Sequence, residues 1–396
     1  MLKFNFRGIS KAWIQKGICI RRYRYAILIS NLLIGFTVGA VCFLIPNQNW
    51  DSIGYAHSAL RMAENDESKV HAKVFQELKT TTSLQTFNSL TQGNFYQRQM
   101  FTDIEGLAQI RGTYSVKYLY VLLIYGLHNL GLNAFVSMHI LSALFAGLSF
   151  ILSTLLIRNF SFASYPLYLI PLISIIQVGR MSTPDSMGMF LIFLVFYFCN
   201  RKWNMLSQLF LVTAPLVRPE FLILSLICFF LFRQWGFRIR FFLSAITILL
   251  TLSIAISQQA WSYTKSIKFL YYLTQNPNES FYTFQDMSFF QAYFKLITTI
   301  IQIDLPLLIL LSFSLYLLMN NTLRIFPLAT QRVFGEVLLY FSIVRIIVFP
   351  SGDYRFYSPF IIFFSYVFVE FFHSLNKSGS EVHFFDSRDN RNDRQF

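Results

Sequence analysis

Acidic and basic side chains recur where apolar segments of this chain end, and their types suit proton transfer and phosphate binding. Asp51 follows the first apolar segment, within the stretch Trp50–Tyr55, and Asp185 opens a later apolar segment. A carboxylate beside low-dielectric surroundings can stay basic enough to accept a proton from a hydroxyl group. We therefore predict that Asp51 and Asp185 are catalytic carboxylates and that Tyr55 lies on the same active face.

Three arginines near the same segment ends suit the binding of a phosphate group. Arg218 stands before Pro219 and Glu220, Arg355 follows Asp353, and Arg345 lies near the end of an apolar segment. A guanidinium group binds phosphate through paired donors. An arginine at this depth needs an anionic partner, which could be Glu220, a lipid phosphate or a pyrophosphate. We predict that the three arginines bind phosphate and that Glu220 and Asp353 lie beside them.

Each of these stretches also has a purely structural interpretation, which the sequence leaves open. Asp51 could cap the helix that follows it, and Thr183–Asp185 is a favourable helix start in which the threonine caps. Glu220 suits a first helical turn in the same way, and Asp353 could pair with Arg355 inside a turn. The sequence predicts chemistry at these positions without excluding a capping or bridging role.

The sequence leaves the cofactor undetermined. Asp51 and Asp185 could hold a divalent cation, because hard cations prefer carboxylate oxygens. The six histidines show no metal-ligand spacing, so we give them no ligand role. The four cysteines lie in or beside apolar segments at no ligand spacing, and we interpret them as small core residues.

The composition indicates a multi-pass membrane protein. Of 396 residues, 55% are hydrophobic and only 13% are charged, which excludes a soluble globular protein with an ordinary polar surface. The net charge of +14 does not indicate nucleic-acid binding, because the cations are spread along one predicted membrane side. Attraction to an anionic inner leaflet explains them better.

The alternation of Lys and Arg with isolated acids predicts ten spans. The basic arm 1–24 places the N-terminus in the cytoplasm, since Lys and Arg stay on that side during insertion. The membrane core then covers 25–372, and the polar tail 373–396 is cytoplasmic and disordered. The predicted spans are 25–45, 134–157, 164–178, 186–199, 205–217, 221–232, 241–257, 297–319, 333–349 and 356–372.

A long first outer loop, 46–132, contains helix-like stretches such as 52–64 and the ambiguous apolar stretch 116–130. If 116–130 were a span, Arg201, Lys202 and the cluster Arg233–Arg240 would face outward, against the Lys and Arg rule. We therefore predict that 116–130 is an interfacial or re-entrant helix on the outer side.

The order of these motifs resembles the GT-C superfamily of integral-membrane glycosyltransferases. The resemblance rests on Asp51 after the first span, RxSxPDSxGxFLxFLxFY at Arg180–Tyr197, VRPE at Val217–Glu220 and DYRFYSPF at Asp353–Phe360. This superfamily uses polyprenyl-phosphate sugars and includes the protein mannosyltransferases and the lipid A aminoarabinose transferases. It implies an all-α, multi-span core whose long first periplasmic loop carries juxtamembrane helices.

The resemblance also implies roles for individual residues. Asp51 would be the general base, and Asp185 the acid of the second outer loop, which in some relatives helps to hold a metal. Arg218, Arg345 and Arg355 would hold the donor phosphate. The chain departs from the pattern in two ways. Ser52 stands where many relatives have a second acid, and no large outer domain follows the membrane core.

These features together predict a glycosyltransferase of the bacterial inner membrane with both termini in the cytoplasm. It would transfer a sugar from a polyprenyl-phosphate donor to a glycan, lipid or protein hydroxyl at the periplasmic face, with inversion, in cell-envelope synthesis. Two other classes stay open. A transporter or flippase of lipid-linked sugars would need the same phosphate-binding arginines, and a polysaccharide polymerase or ligase would share the donor.

Overall fold

A computed structural model describes residues 28–156, 170–232, 235–275, 277–303, 305–319, 329–351 and 353–365. This part of the chain is all-helical and contains no strand, which confirms the predicted all-α class. An isolated bridge joins Asn47 to Met181. The basic arm, the polar tail and Cys19 lie outside the described residues, so the predictions for them stay predictions.

Eighteen helices follow one another along the described residues. The first half of the chain forms α1 Leu28–Leu44, α2 Asp51–Arg61, α3 Glu67–Thr81, α4 Leu84–Gln92, α5 Phe95–Thr102, α6 Ile104–Tyr114, α7 Tyr118–Asn129, α8 Ala134–Leu156 and α9 Ile170–Arg180. The second half forms α10 Asp185–Asn200, α11 Asn204–Val217, α12 Phe221–Leu231, α13 Phe237–Ser257, α14 Tyr263–Gln275, α15 Phe289–Ile303, α16 Leu305–Met319, α17 Ala329–Val348 and α18 358–365. Short 3₁₀ turns lie at Phe281–Asp286 and Tyr354–Tyr357.

Two helices in the described residues, α8 and α13, are long and apolar enough to cross a membrane by length and composition alone. The apolar helices α1, α10, α11 and α12 are shorter and coincide with other predicted spans. Thr247 is the one buried residue of α13, and the others divide about equally between exposed and half-buried, with Phe241, Leu249 and Ile256 among the exposed ones.

Helices α15 and α16 fall on the predicted span 297–319. Helix α15 ends at Ile303 and α16 begins at Leu305, and Asp304 between them lies outside the described residues. A single span over 297–319 therefore stays a prediction.

The first long loop folds into a layer of its own, formed by α2 to α7 and packed on one end of the apolar helices. Its core includes the fully buried Ile53, Leu107 and Tyr120. The same core extends to buried residues of α8 and α14. A second core, built mainly from α8, α10, α12 and α17, lies beside it. The expected helices in the first loop are therefore present, and the predicted stretch 52–64 is α2.

Helix α7 is the ordered part of the ambiguous stretch 116–130. It has 12 residues, which is about 18 Å of helix, well short of the ~30 Å hydrocarbon core. It packs against α2, α8 and α11. Helix α12, which falls on a predicted span, is shorter still at 11 residues, so the interfacial or re-entrant position of 116–130 stays a prediction.

Glu67 ties three helices of this layer together. Its carboxylate accepts hydrogen bonds from Arg61 Nε of α2 at 2.8 Å and from Arg111 of α6 at 2.5 Å, and it lies 3.3 Å from His57 Nε2. The His57 hydrogen bond is the largest of the effects that lower the pKa of Glu67 to about 2. Asp66 caps α3 by accepting from the Ser68 and Lys69 amides. Helix α2, which carries Asp51, is thus held in place from both sides.

Candidate active site

A cavity of about 400 Å³ lies between the first-loop layer and the ends of α11, α13 and α14. The predicted site residues converge on it. Its lining includes Asp51, Tyr55, Asp185, Arg218, Glu220 and Arg355. Arg345 lines a small adjoining cavity that shares Asp185, Arg218, Glu220 and Arg355, and Asp353 contacts Arg355. Asp51 and Asp185 therefore share one cavity, as their predicted common role requires.

Asp51 stands in the first turn of α2, after Trp50, and its side chain caps no amide of that helix. The capping interpretation of Asp51 is therefore wrong, because the carboxylate is turned to the cavity. One oxygen accepts from Arg355 NH1 at 2.7 Å and the other accepts from the Tyr114 hydroxyl at 3.2 Å. A negative charge at this position also complements the helix dipole.

Two opposing effects set the pKa of Asp51. Burial acts to raise it, whereas the Arg355 charge and hydrogen bond, the Lys117 charge and the Tyr114 hydrogen bond act to lower it. The lowering effects prevail, so the pKa lies below its usual value of 3.8. Asp51 is consequently an ionised carboxylate at neutral pH, the state that can accept a proton.

Asp185 forms an ion pair with Arg218 across the start of α10. The helix begins after Pro184, so the expected capping by Thr183 is wrong. The Thr183 hydroxyl instead donates to Asp185 Oδ2 at 2.6 Å. The proline fixes the backbone before the first turn, which leaves the threonine side chain free to bind the carboxylate.

Arg218 also has an anionic partner, as the sequence analysis predicted for an arginine near the end of an apolar segment. In addition to Asp185, it donates to Glu220 at 3.2 Å, and Glu220 lies 3.8 Å from Arg345 NH2. Arg218 is 6% exposed and Arg345 is 1% exposed. A buried side chain stays charged only beside an opposite charge. Each charge in the series Asp185, Arg218, Glu220 and Arg345 therefore depends on its neighbours. Glu220 precedes α12, and its side chain accepts no capping hydrogen bond from that helix. Its carboxylate instead pairs with Arg218 and Arg345.

The turn interpretation of Asp353 and Arg355 is correct but incomplete. Arg355 Nε lies 2.5 Å from Asp353 Oδ2, and Asp353 Oδ1 accepts from the Arg355 amide at 3.2 Å. The same guanidinium reaches Asp51 from the other end of the chain. Arg355 therefore bridges a local carboxylate and the predicted catalytic one.

Lys117 is a cavity residue that the sequence analysis did not assign to the site. Its ammonium donates to the Thr113 carbonyl and lies 5.5 Å from the Tyr114 ring centroid. Burial is the main cause that lowers its pKa to about 8. The one feature of the sequence that points to Lys117 is a single cation directly before a short apolar helix.

Gly54 lets Tyr114 reach Asp51. A Cβ atom at Gly54 would lie 2.3 Å from the Tyr114 ring, closer than any side chain tolerates. The Tyr114 ring also meets Tyr55 edge-on, with centroids 5.1 Å apart. The glycine in the Trp50–Tyr55 stretch therefore serves a close approach of α6 to α2.

The remainder of the cavity wall is largely apolar, with Pro215, Leu216, Ile254, Leu270 and Phe349 among its residues. Among the described residues, no group of three or more His, Cys, Asp or Glu side chains is arranged to hold a metal ion. Asp51 and Asp185 each already contact a guanidinium group. The arrangement offers ionised carboxylates and several N–H donors at one end of an apolar space.

No family model, no curated protein and no solved structure matches this chain.

Proposed function

We propose that this protein transfers a sugar from a polyprenyl-phosphate donor to an acceptor hydroxyl. The observation that carries the proposal is the convergence of Asp51 with Lys117, Arg218 and Arg355 in one cavity whose other walls are apolar. A phosphate headgroup with an isoprenoid chain needs cationic donors beside apolar surface. A nucleophilic hydroxyl needs a carboxylate beside that phosphate.

Lys117 is the cation best suited to meet the donor phosphate first. The arginines are engaged with carboxylates, so a phosphate must compete with Asp51, Asp185 or Glu220 for their N–H groups. Lys117 donates to a backbone carbonyl and keeps further N–H donors for a ligand. An incoming phosphate that also draws Arg355 toward itself would weaken the Arg355 contact with Asp51 and make that carboxylate more basic.

The proposed reaction is a single displacement. Asp51 accepts the proton of the acceptor hydroxyl while the acceptor oxygen forms a bond to the anomeric carbon. The bond between that carbon and the phosphate oxygen breaks, and its electron pair leaves with the polyprenyl phosphate. The cations stabilise the charge that grows on the leaving phosphate. Attack from the opposite face inverts the anomeric configuration.

The proposal places the protein in the bacterial inner membrane, with the cavity toward the periplasm and both termini in the cytoplasm. Its support is the length and apolar character of α8 and α13, the exposed apolar side chains of α13 and the shorter apolar helices beside them. The ten-span topology belongs to this proposal. A divalent cation near Asp51 and Asp185 remains a prediction, which a chelator tests.

The deciding experiment incubates the purified full-length protein with a panel of polyprenyl-phosphate sugars, with water in place of the acceptor hydroxyl, and measures the release of polyprenyl phosphate and free sugar, with and without a chelator. Asp51→Asn should lower the release by at least ~100-fold, since general-base catalysis typically contributes that much. Asp66→Asn is the matched control, because Asp66 is an exposed acid in the same loop and asparagine retains its capping bond.

Two outcomes would contradict the proposal. If Asp51→Asn releases polyprenyl phosphate at the wild-type rate, the carboxylate is not the base. If the protein moves the donor across proteoliposome membranes without cleaving it, the cavity belongs to a flippase.

A further inference from the structure

A second cleft, of about 500 Å³, lies on the other side of α6 from the charged cavity. Helix α6 and the segment 258–265 form its walls. Its polar lining consists of Glu105, Gln109, Arg111, Gln258, Gln259 and Lys265. The charged cavity, by contrast, is mostly apolar away from its ion pairs. The two spaces therefore suit chemically different parts of a reaction.

The cleft and the cavity share part of their wall. Gly112 and Trp261 line both spaces, so the two meet there. Gly112 packs so closely on the segment 258–261 that a Cβ atom would lie 2.5 Å from the Gln259 carbonyl oxygen. The Trp261 indole donates to the Gln109 carbonyl at 2.9 Å and Ser115 Oγ donates to the Gln258 carbonyl at 3.4 Å. These contacts hold the shared wall in place.

The side chains of the cleft fit a ligand with many hydroxyl groups. Carboxamides offer both donors and acceptors, and a hydroxyl group can satisfy either. Arg111 is already paired with Glu67, and Lys265 lies 4.2 Å from the Trp261 ring centroid. A strongly anionic ligand would find few uncommitted cations there and would meet Glu105. A lipid chain would leave the polar groups without partners.

We infer that this cleft binds the acceptor, and that the acceptor is a hydroxyl-rich glycan or the glycan part of a lipid. The inference rests on the proposed function, because it assigns the other substrate of the same reaction. Gly112 and Trp261 line both spaces, so a glycan in the cleft lies nearest to the charged cavity, and to Asp51, at these two residues. The donor phosphate enters the charged cavity from the apolar side.

The test measures glycan binding and donor cleavage separately in the purified full-length protein. The probe is an array of labelled neutral and uronic-acid oligosaccharides, and the test variant is Gln109→Ala/Lys265→Ala. Gln109 holds the indole of Trp261 through its backbone carbonyl, so the substitution keeps that contact. The control variant is Gln85→Ala/Lys69→Ala, which removes the same side-chain types from exposed positions on α4 and α3.

We expect the wild-type protein and the control to bind oligosaccharides, and the cleft variant to bind them about tenfold more weakly, the effect of two lost hydrogen bonds. Release of polyprenyl phosphate with water in place of the glycan as acceptor should be equal in all three. Equal glycan binding by the cleft variant and the wild type, or no binding by either, overturns the inference. An absence of donor cleavage in the wild type overturns the proposed function. The glycan-binding result then still shows whether the cleft binds a glycan.

Discussion

Arg355 donates a 2.7 Å hydrogen bond to Asp51 across a sequence separation of 304 residues. This contact joins the 3₁₀ turn before α18 to the first turn of α2, and so brings opposite ends of the described chain to one cavity. Arg355 also holds Asp353, which fixes the guanidinium on one side. The ionisation and the position of Asp51 therefore depend in part on a distant side chain, to which the Lys117 charge and the Tyr114 hydrogen bond are added.

The first prediction concerns the acid limb of the pH–rate profile. Arg355 keeps the pKa of Asp51 below 3.8 although burial acts to raise it, so Asp51 stays ionised until the pH falls below that value. In Arg355→Gln the burial effect is less opposed, the pKa rises, and Asp51 becomes protonated at a higher pH. The acid limb of donor cleavage should then move upward. The exposed Arg98→Gln is the control, and an unmoved limb in Arg355→Gln would refute the coupling.

The second prediction concerns the alkaline side of donor binding. A lysine with a pKa of about 8 is charged below that pH and neutral above it. A polyprenyl-phosphate sugar is a phosphodiester whose own charge is constant in this range. The affinity for the donor should therefore fall as the pH rises through about 8. In Lys117→Arg the guanidinium stays charged, so the affinity should hold to pH ~10. Binding curves between pH 6 and 10 measure both, and an identical decline in the variant argues against Lys117.

The third prediction concerns stability. Asp185 and Arg218 form a buried ion pair, and loss of one partner leaves the other charge buried. Asp185→Asn, after which Arg218 still contacts Glu220, should lower the free energy of unfolding by ~1–3 kcal/mol, Arg218→Gln by ~3–5 kcal/mol, and the double variant by clearly less than their sum. Denaturant unfolding in detergent measures the cycle. The exposed pair Asp66 and Lys69, removed in the same way, should leave the unfolding midpoint unchanged, and additive effects at Asp185 and Arg218 would contradict their coupling.

The fourth prediction isolates a glycine. Gly54→Ala places a methyl group 2.3 Å from the Tyr114 ring and should cost ~1–3 kcal/mol of unfolding free energy by overpacking. It should also lower donor cleavage, since Tyr114 donates to Asp51. Gly126→Ala is the matched control, because nothing lies within 4 Å of its Cβ position in α7. Alanine there should stabilise the helix by up to ~1 kcal/mol. If Gly54→Ala behaves like the control, the close approach has no energetic role.

The sequence predicted the positions of helices better than it predicted which side chains cap them. The apolar stretches that became α8 and α13 were visible as long hydrophobic runs, and the predicted helix 52–64 became α2. The capping predictions for Asp51 and Thr183 failed because a side chain that can cap a helix can equally bind another side chain, which is the distant Arg355 for Asp51 and the nearby Asp185 for Thr183.

By itself, the sequence determined that the protein is helical and that Asp51, Asp185, Arg218 and Arg355 lie at the ends of apolar segments. These properties depend on neighbours in the chain, through hydrophobic runs and helix-start residues. Only the tertiary structure decided that Arg355 meets Asp51, that Asp185 pairs with Arg218, and that Lys117 joins the same cavity. Pairing between distant charges depends on how helices pack, and no local pattern carries that information.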